Sequence, residues 1–92
     1  KEQEHYLKIN LEAAREIVHQ IRLRNLSGMI VVDFINMESE EDNELLLKTL
    51  REYARADRVP IQIWGMTKLN LVEITRKKVK KPLAELINEK KP

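Results

Sequence analysis

The chain reads as α/β, with element order helix–strand–helix–strand–helix, and three stretches carry that reading. Leu11, Ala14, Val18 and Ile21 recur at helical spacing. Met29 to Ile35 is an apolar, β-branched run of strand length. Leu46, Leu50, Tyr53 and Ala54 then return to helical spacing. A helix, a strand and a second helix joined by short links set the rhythm of a βαβ unit.

Each element has its own chemistry. Asn10 is a good N-cap, because its side-chain carbonyl can accept a first-turn N–H, and Ile17 lies alongside the stripe that follows. Ser27-Gly28 predicts the stop, since glycine takes the left-handed cap conformation at little cost. Met29 to Ile35 does not alternate, which predicts a strand buried on both faces in a parallel sheet. Ser39 predicts the cap of the second helix, with Asp42 in the capping-box position. Glu40, Glu41 and Asp42 suit the positive end of that helix. Pro60 separates it from a short strand, Ile61 to Trp64, closed by Gly65.

From Met66 to Val79 two patterns compete. Thr67 can cap a helix carrying Leu69, Val72, Arg76 and Val79 on one side, whereas Leu69, Leu71 and Glu73 can alternate in a strand. The helix is the expectation adopted. Lys81-Pro82 breaks the chain again, and Leu83 to Lys90 predicts a short terminal helix with Leu83, Leu86 and Ile87 as its apolar side.

The 92 residues make a single domain. Apolar residues are 42% of the chain and charged residues 35%, with a net charge of +2, a balance that does not by itself demand a nucleic-acid partner. There is no cysteine, which excludes disulfides, thiolate catalysis and cysteine zinc sites and is compatible with the cytoplasm. No apolar run is long enough to cross a membrane. Charge is uneven: acids dominate Glu38 to Asp57, and bases dominate from Met66 onward.

Asp33 is the leading candidate for chemistry. Ligands of open α/β sheets gather at the carboxyl ends of strands. A carboxylate there either binds a divalent metal, magnesium by preference for oxygen donors, or is satisfied by backbone N–H groups or an arginine. Asn36 shapes the turn that follows. Asp57-Arg58 reads as a local ion pair before the next strand. Arg76, Lys77 and Lys78 either grip a phosphodiester backbone or form solvated surface. Trp64 and Tyr53 read as core. His5 and His19 have no acid or nucleophile at useful spacing, and the two glycines cannot build a phosphate-binding loop.

The strings NLEAAREIVHQIRLRNLSGMIVVDFINM and ADRVPIQIWGMTKLNLVEITRKK resemble the catalytic domain of the ribonuclease E/G family, over about residues 8–83. The resemblance implies a fragment of a layered, DNase I-like α/β domain that cleaves single-stranded RNA with Mg2+ held by two aspartates. It makes Asp33, in Val31-Val32-Asp33-Phe34-Ile35, the second of these and a catalytic metal ligand. It offers Arg76, Lys77 and Lys78 as RNA-binding residues, Arg76 foremost. It also implies a cytoplasmic, homo-oligomeric parent with no membrane partner.

The chain departs from the family pattern as well. The first aspartate belongs to a D-x-N motif that is not in this sequence and would precede Lys1. Asn36 stands where many relatives have Asp, and Asn70 where many have Gly. The zinc-link cysteines are missing, as are the S1 and 5′-end-sensing parts. Residues 1–92 thus read as one domain, the C-terminal half of a larger catalytic domain and inactive alone; the alternative is a non-catalytic RNA-binding or assembly module of the same fold.

Overall fold

The computed structural model describes residues 1–78. Helix α1 (Glu2–Leu23) is followed by strand β1 (Gly28–Asp33), helix α2 (Glu40–Ala54), strand β2 (Ile61–Met66) and strand β3 (Leu71–Arg76). The strands form one sheet in the order β1-β3-β2, and β3 is antiparallel to both neighbours. β1 and β2 therefore run in the same direction, as the βαβ rhythm predicts, but β3 lies between them. The α/β class holds; the all-parallel sheet does not.

The fifth element is a strand, not the expected helix. Thr67 organises the turn before it, as its Oγ1 accepts the Leu69 and Leu71 N–H groups and its own N–H donates to the Leu71 carbonyl. Asn70 takes φ 62° to close the turn, a conformation asparagine tolerates better than most residues. The β-branched Val72 and Ile74 then point into the core, on alternate positions of a central strand. The expected terminal helix from Leu83 to Lys90 lies outside the described residues.

α1 is longer than its stripe suggested. It begins eight residues before Asn10, which sits inside the helix and is buried. Its stop comes earlier than Ser27-Gly28. Asn25, at φ 51°, donates to the Arg22 carbonyl, and Leu26 N–H reaches Ile21 O, a Schellman closure. α2 begins as expected, with Ser39 Oγ accepting the Asp42 N–H.

α1 packs on α2, and α2 on β2. Ala14, Val18, Ile21, Leu46, Leu50, Ala54, Ile63, Val72 and Ile74 share the core with Phe34 and Met37. Both helices cover the same face of the sheet. On the other face β1 is open: Ile30 and Val32 turn inward while Met29 and Val31 are 67% and 51% exposed. The strand alternates after all; its outward residues happen to be apolar too.

Trp64 is likewise no core residue, being 60% exposed. The β2–β3 register slips between Ile63 and Gly65, so Trp64 is the extra residue of a bulge. Gly65 supplies the φ of 138° that the bulge needs. The indole N–H donates to Thr75 Oγ1 at 2.7 Å and holds the ring against the open face. Tyr53, in contrast, packs partly buried against the core, as expected.

Candidate active site at the tip of β1

Asp33 is the last residue of β1, opposite Leu71, and it is exposed. Among the described residues no donor hydrogen-bonds to its carboxylate and no cation pairs with it. This is the environment of a carboxylate left open to an external ligand, not of one satisfied by backbone or arginine.

The backbone just beyond Asp33 is pinned. Asn10 Nδ2 donates to the Ile35 carbonyl at 2.8 Å, and the Ile35 N–H donates to Asn10 Oδ1 at 3.0 Å. A buried amide on α1 thereby clamps one residue of the β1–α2 loop, Ile35, through both its backbone donor and its backbone acceptor. Phe34 and Met37 sink into the core on either side of that clamp. Asn43 Nδ2, from the first turn of α2, also reaches the Met37 carbonyl. Asp33 is thus exposed, but on a backbone fixed from three directions. Sequence reading misplaced Asn10 because asparagine at a helix boundary and asparagine serving a distant loop look alike in one dimension.

Arg76 lies elsewhere and does something different. It is 6% exposed. Its Nε donates to Asp57 Oδ2 at 3.2 Å, and its terminal nitrogens reach Asp57 Oδ1, Asn25 Oδ1 and the Leu26 carbonyl. Every arm of the guanidinium is engaged within the chain, and Arg76, expected as an RNA contact, here ties β3 to the ends of both helices. Asp57 pairs with it rather than with its neighbour Arg58, correcting that expectation too. Burial pushes the Asp57 carboxyl up. The Val59 N–H, the Arg76 guanidinium and the charge of Arg22 pull it down further, and it sits below the ordinary carboxylate value.

Lys77 and Lys78 are exposed, as expected, but at the wrong end of the sheet to join Asp33. Arg76 pairs with Gly28 while Asp33 pairs with Leu71, so five residues, or about 17 Å of strand, separate the two. The basic residue at the Asp33 end is Lys68, exposed in the β2–β3 turn. Reading residues 66–79 as a helix hid that turn. On the sheet face that carries Asp33, the register also sets Glu73 opposite Val31, one diagonal step from Asp33. Among the described residues no group of three or more His, Asp or Glu side chains converges as a metal site.

The candidate site is thus an exposed carboxylate at a strand tip on an α/β scaffold, with Lys68 in the turn at the same end of the sheet, and the comparisons give its family. Residues 1–79 match the model of the Ribonuclease E/G family. The chain is 47% identical over 83 residues to a Ribonuclease E of Nostoc sp., a match covering 90% of this chain and 12% of the relative. It is 37% identical over 83 residues to a Ribonuclease G of Haemophilus influenzae, covering 90% and 17%. A chloroplastic Ribonuclease E/G-like protein of Arabidopsis thaliana is 39% identical over 83 residues, covering 90% and 8%. This chain belongs to the Ribonuclease E/G family, and it spans less than a fifth of the length of these relatives.

Proposed function

We propose that the chain is the part of a magnesium-dependent endoribonuclease that contributes one metal-binding carboxylate, Asp33, to the hydrolysis of single-stranded RNA. The observation carrying this reading is the free Asp33 carboxylate on a rigidly clamped strand tip.

The donor chemistry fits. Magnesium prefers oxygen ligands, keeps several of its waters and is commonly held by one or two carboxylates. When bound, the ion supplies an activated water and neutralises charge on the phosphate. Asp33 holds the position of that charge, and the Asn10 clamp fixes the backbone that carries it. A single carboxylate binds such an ion weakly. β1 is an edge strand whose second edge has no partner among the described residues. A strand bearing the companion acid would pair there. Lys68 and, farther along the sheet, Lys77 and Lys78 are the cations available to an RNA backbone. A homo-oligomeric parent and a cytoplasmic setting belong to the same reading; they rest on family resemblance and on the cysteine-free composition.

The test is Asp33→Asn in the full-length parent, assayed on single-stranded RNA with magnesium. Loss of cleavage with folding intact is expected; robust cleavage by that variant sinks the assignment. The chain of 92 residues by itself is expected to bind magnesium poorly and to cut RNA negligibly.

A second reading, a non-catalytic RNA-binding or assembly module, is favoured by the absence of any three-ligand cluster among the described residues. Magnesium titration followed by NMR separates the two. Shifts centred on Asp33 fit the catalytic reading, and shifts only around Lys77 and Lys78 on adding RNA fit the module.

A further inference from the structure

The outer face of the sheet carries a second group of open side chains, away from the tip of β1. Met29 on β1, Glu73 and Thr75 on β3 and Trp64 on β2 line one hollow of about 340 Å³. They take outward positions on three paired strands, whose inward residues Ile30, Ile63, Val72 and Ile74 lie in or against the core.

Trp64 forms one wall of the hollow. It is bulged out of β2 and more than half exposed. The indole N–H bond to Thr75 Oγ1 holds the ring in place before any ligand arrives. Gly65 beside it keeps the approach clear, since a Cβ there would meet no atom within 4 Å. A fixed, exposed aromatic on a sheet is a stacking platform for an unpaired base. Glu73 adds a polar edge. Among the described residues no donor hydrogen-bonds to its carboxylate and no cation pairs with it. Lys77 and Lys78, both exposed, follow Thr75 by two and three residues, or about 7–10 Å of extended chain.

We propose that this hollow is a base-binding subsite for single-stranded RNA, selective for guanine. Trp64 stacks on the base, the Glu73 carboxylate accepts from its edge, and Lys77 and Lys78 meet the adjoining phosphates. Guanine presents N1–H and N2–H side by side, which a carboxylate accepts together. Adenine and cytosine set one amino group beside an acceptor, and uracil sets one N–H between two carbonyls, so each turns an acceptor toward Glu73. The charges divide accordingly, the acid facing the donor edge and the lysines the phosphodiester. Met29, Val31 and Asp33 share the outward side of β1. Met29 and Asp33 are about 13 Å apart along the strand, so RNA gripped in the hollow reaches the carboxylate within a few nucleotides. The subsite deepens the ribonuclease reading and rests on RNA being the ligand, though not on Asp33 holding a metal.

Trp64 is the only tryptophan and reports its own occupancy. The probes are the ribo-oligomers UUGUU, UUIUU (with inosine, which lacks the 2-amino group) and UUUUU, titrated into the 92-residue chain in EDTA. UUGUU is expected to quench Trp64 emission and to bind about tenfold more tightly than the other two. Glu73→Gln should abolish that preference and keep the quenching, because an amide presents one acceptor and one donor group. Trp64→Ala, followed by anisotropy of labelled UUGUU, should bind about fivefold more weakly or worse, with the far-ultraviolet circular dichroism of α1 and α2 retained. Absence of quenching by UUGUU overturns the proposal, as does a guanine preference that survives Glu73→Gln. Trp64 emission at short wavelength in the free chain, lost on dilution, means that a second copy covers the face, and this also overturns it. EDTA removes any metal, so a failure of the Asp33 assignment leaves these titrations unchanged, and a failure here leaves the Asp33→Asn cleavage test untouched.

Discussion

The guanidinium of Arg76 and the carboxylate of Asp57 meet at 3.2 Å with both side chains only 4% exposed, and this pair joins the end of the central strand to the turn after α2. Asn25, the left-handed residue that closes α1, accepts a further bond from the same guanidinium at 2.7 Å. One side chain therefore fixes the relative positions of three segments distant in sequence. Breaking a buried pair by removing one partner costs about 3–5 kcal/mol, because the other charge is left without compensation. Arg76→Met is expected to destabilise the chain by that order in urea unfolding. Arg76→Met combined with Asp57→Leu should recover a large part of the loss. A loss below 1 kcal/mol for Arg76→Met, on the same scale, would mean that the pair is not desolvated.

The same pair sets a pH dependence. The folded-state pKa of Asp57 lies below its ordinary value of 3.8. A depressed carboxylate binds its proton more weakly in the folded state than in the unfolded one. Its contribution is complete above the unfolded pKa and declines as pH falls from there through the folded value. Stability measured by denaturant midpoint should fall through that window. Asp57→Asn should flatten this part of the profile while lowering stability at neutral pH.

Asn10 predicts a separable effect. Asn10→Ala leaves the Ile35 N–H and carbonyl without their partner in a part-buried site. The expected cost is about 2 kcal/mol, in the range for unsatisfied buried polar groups. Because the clamp lies two residues from Asp33, the Asp33 and Ile35 amide resonances should shift, and cleavage by the parent should fall without Asp33 being altered. Unchanged amide shifts at both positions would remove Asn10 from the support of the site.

Asp33 itself should show the opposite profile. It is exposed and makes no hydrogen bond or ion pair among the described residues. Surface substitutions of that kind change stability by about 0.5 kcal/mol or less. Asp33→Asn is thus expected to leave the denaturant midpoint in place. A large stability change would mean that the carboxylate has a structural partner.

Ser39 gives a local control. Its hydroxyl accepts the Asp42 N–H at 3.3 Å and opens α2. Ser39→Ala should cost about 1 kcal/mol, with no effect on Asp33 chemistry. Ser39→Asp should restore most of the loss, as monitored by thermal unfolding.

The local features were open to one-dimensional reading. Ser39 and Asp42 cap α2 as their spacing says, because a cap is made within four residues. The stripes Ala14–Val18–Ile21 and Leu46–Leu50–Ala54 are buried as their periodicity requires. Asp33 stands out because a lone carboxylate interrupts an apolar, β-branched run. The segment after Met66 was ambiguous because Leu69, Val72, Arg76 and Val79 fit a helix stripe while Leu69, Leu71 and Glu73 alternate as in a strand, and only pairing with β1 and β2 on both sides decides for the strand.

What the sequence determined, then, is where α2 begins, which faces the two helices bury and that an acid lies near the end of the first strand, since these follow from neighbours in the chain. The tertiary structure alone decided which charges are spent and which are free. Asp33 and Asp57, Arg76 and Lys77 look interchangeable as letters. Register and helix closure put one acid in an arginine fork and left the other in water, and turned one cation inward and the next outward. Such choices depend on partners up to 51 residues away, and no local pattern contains them.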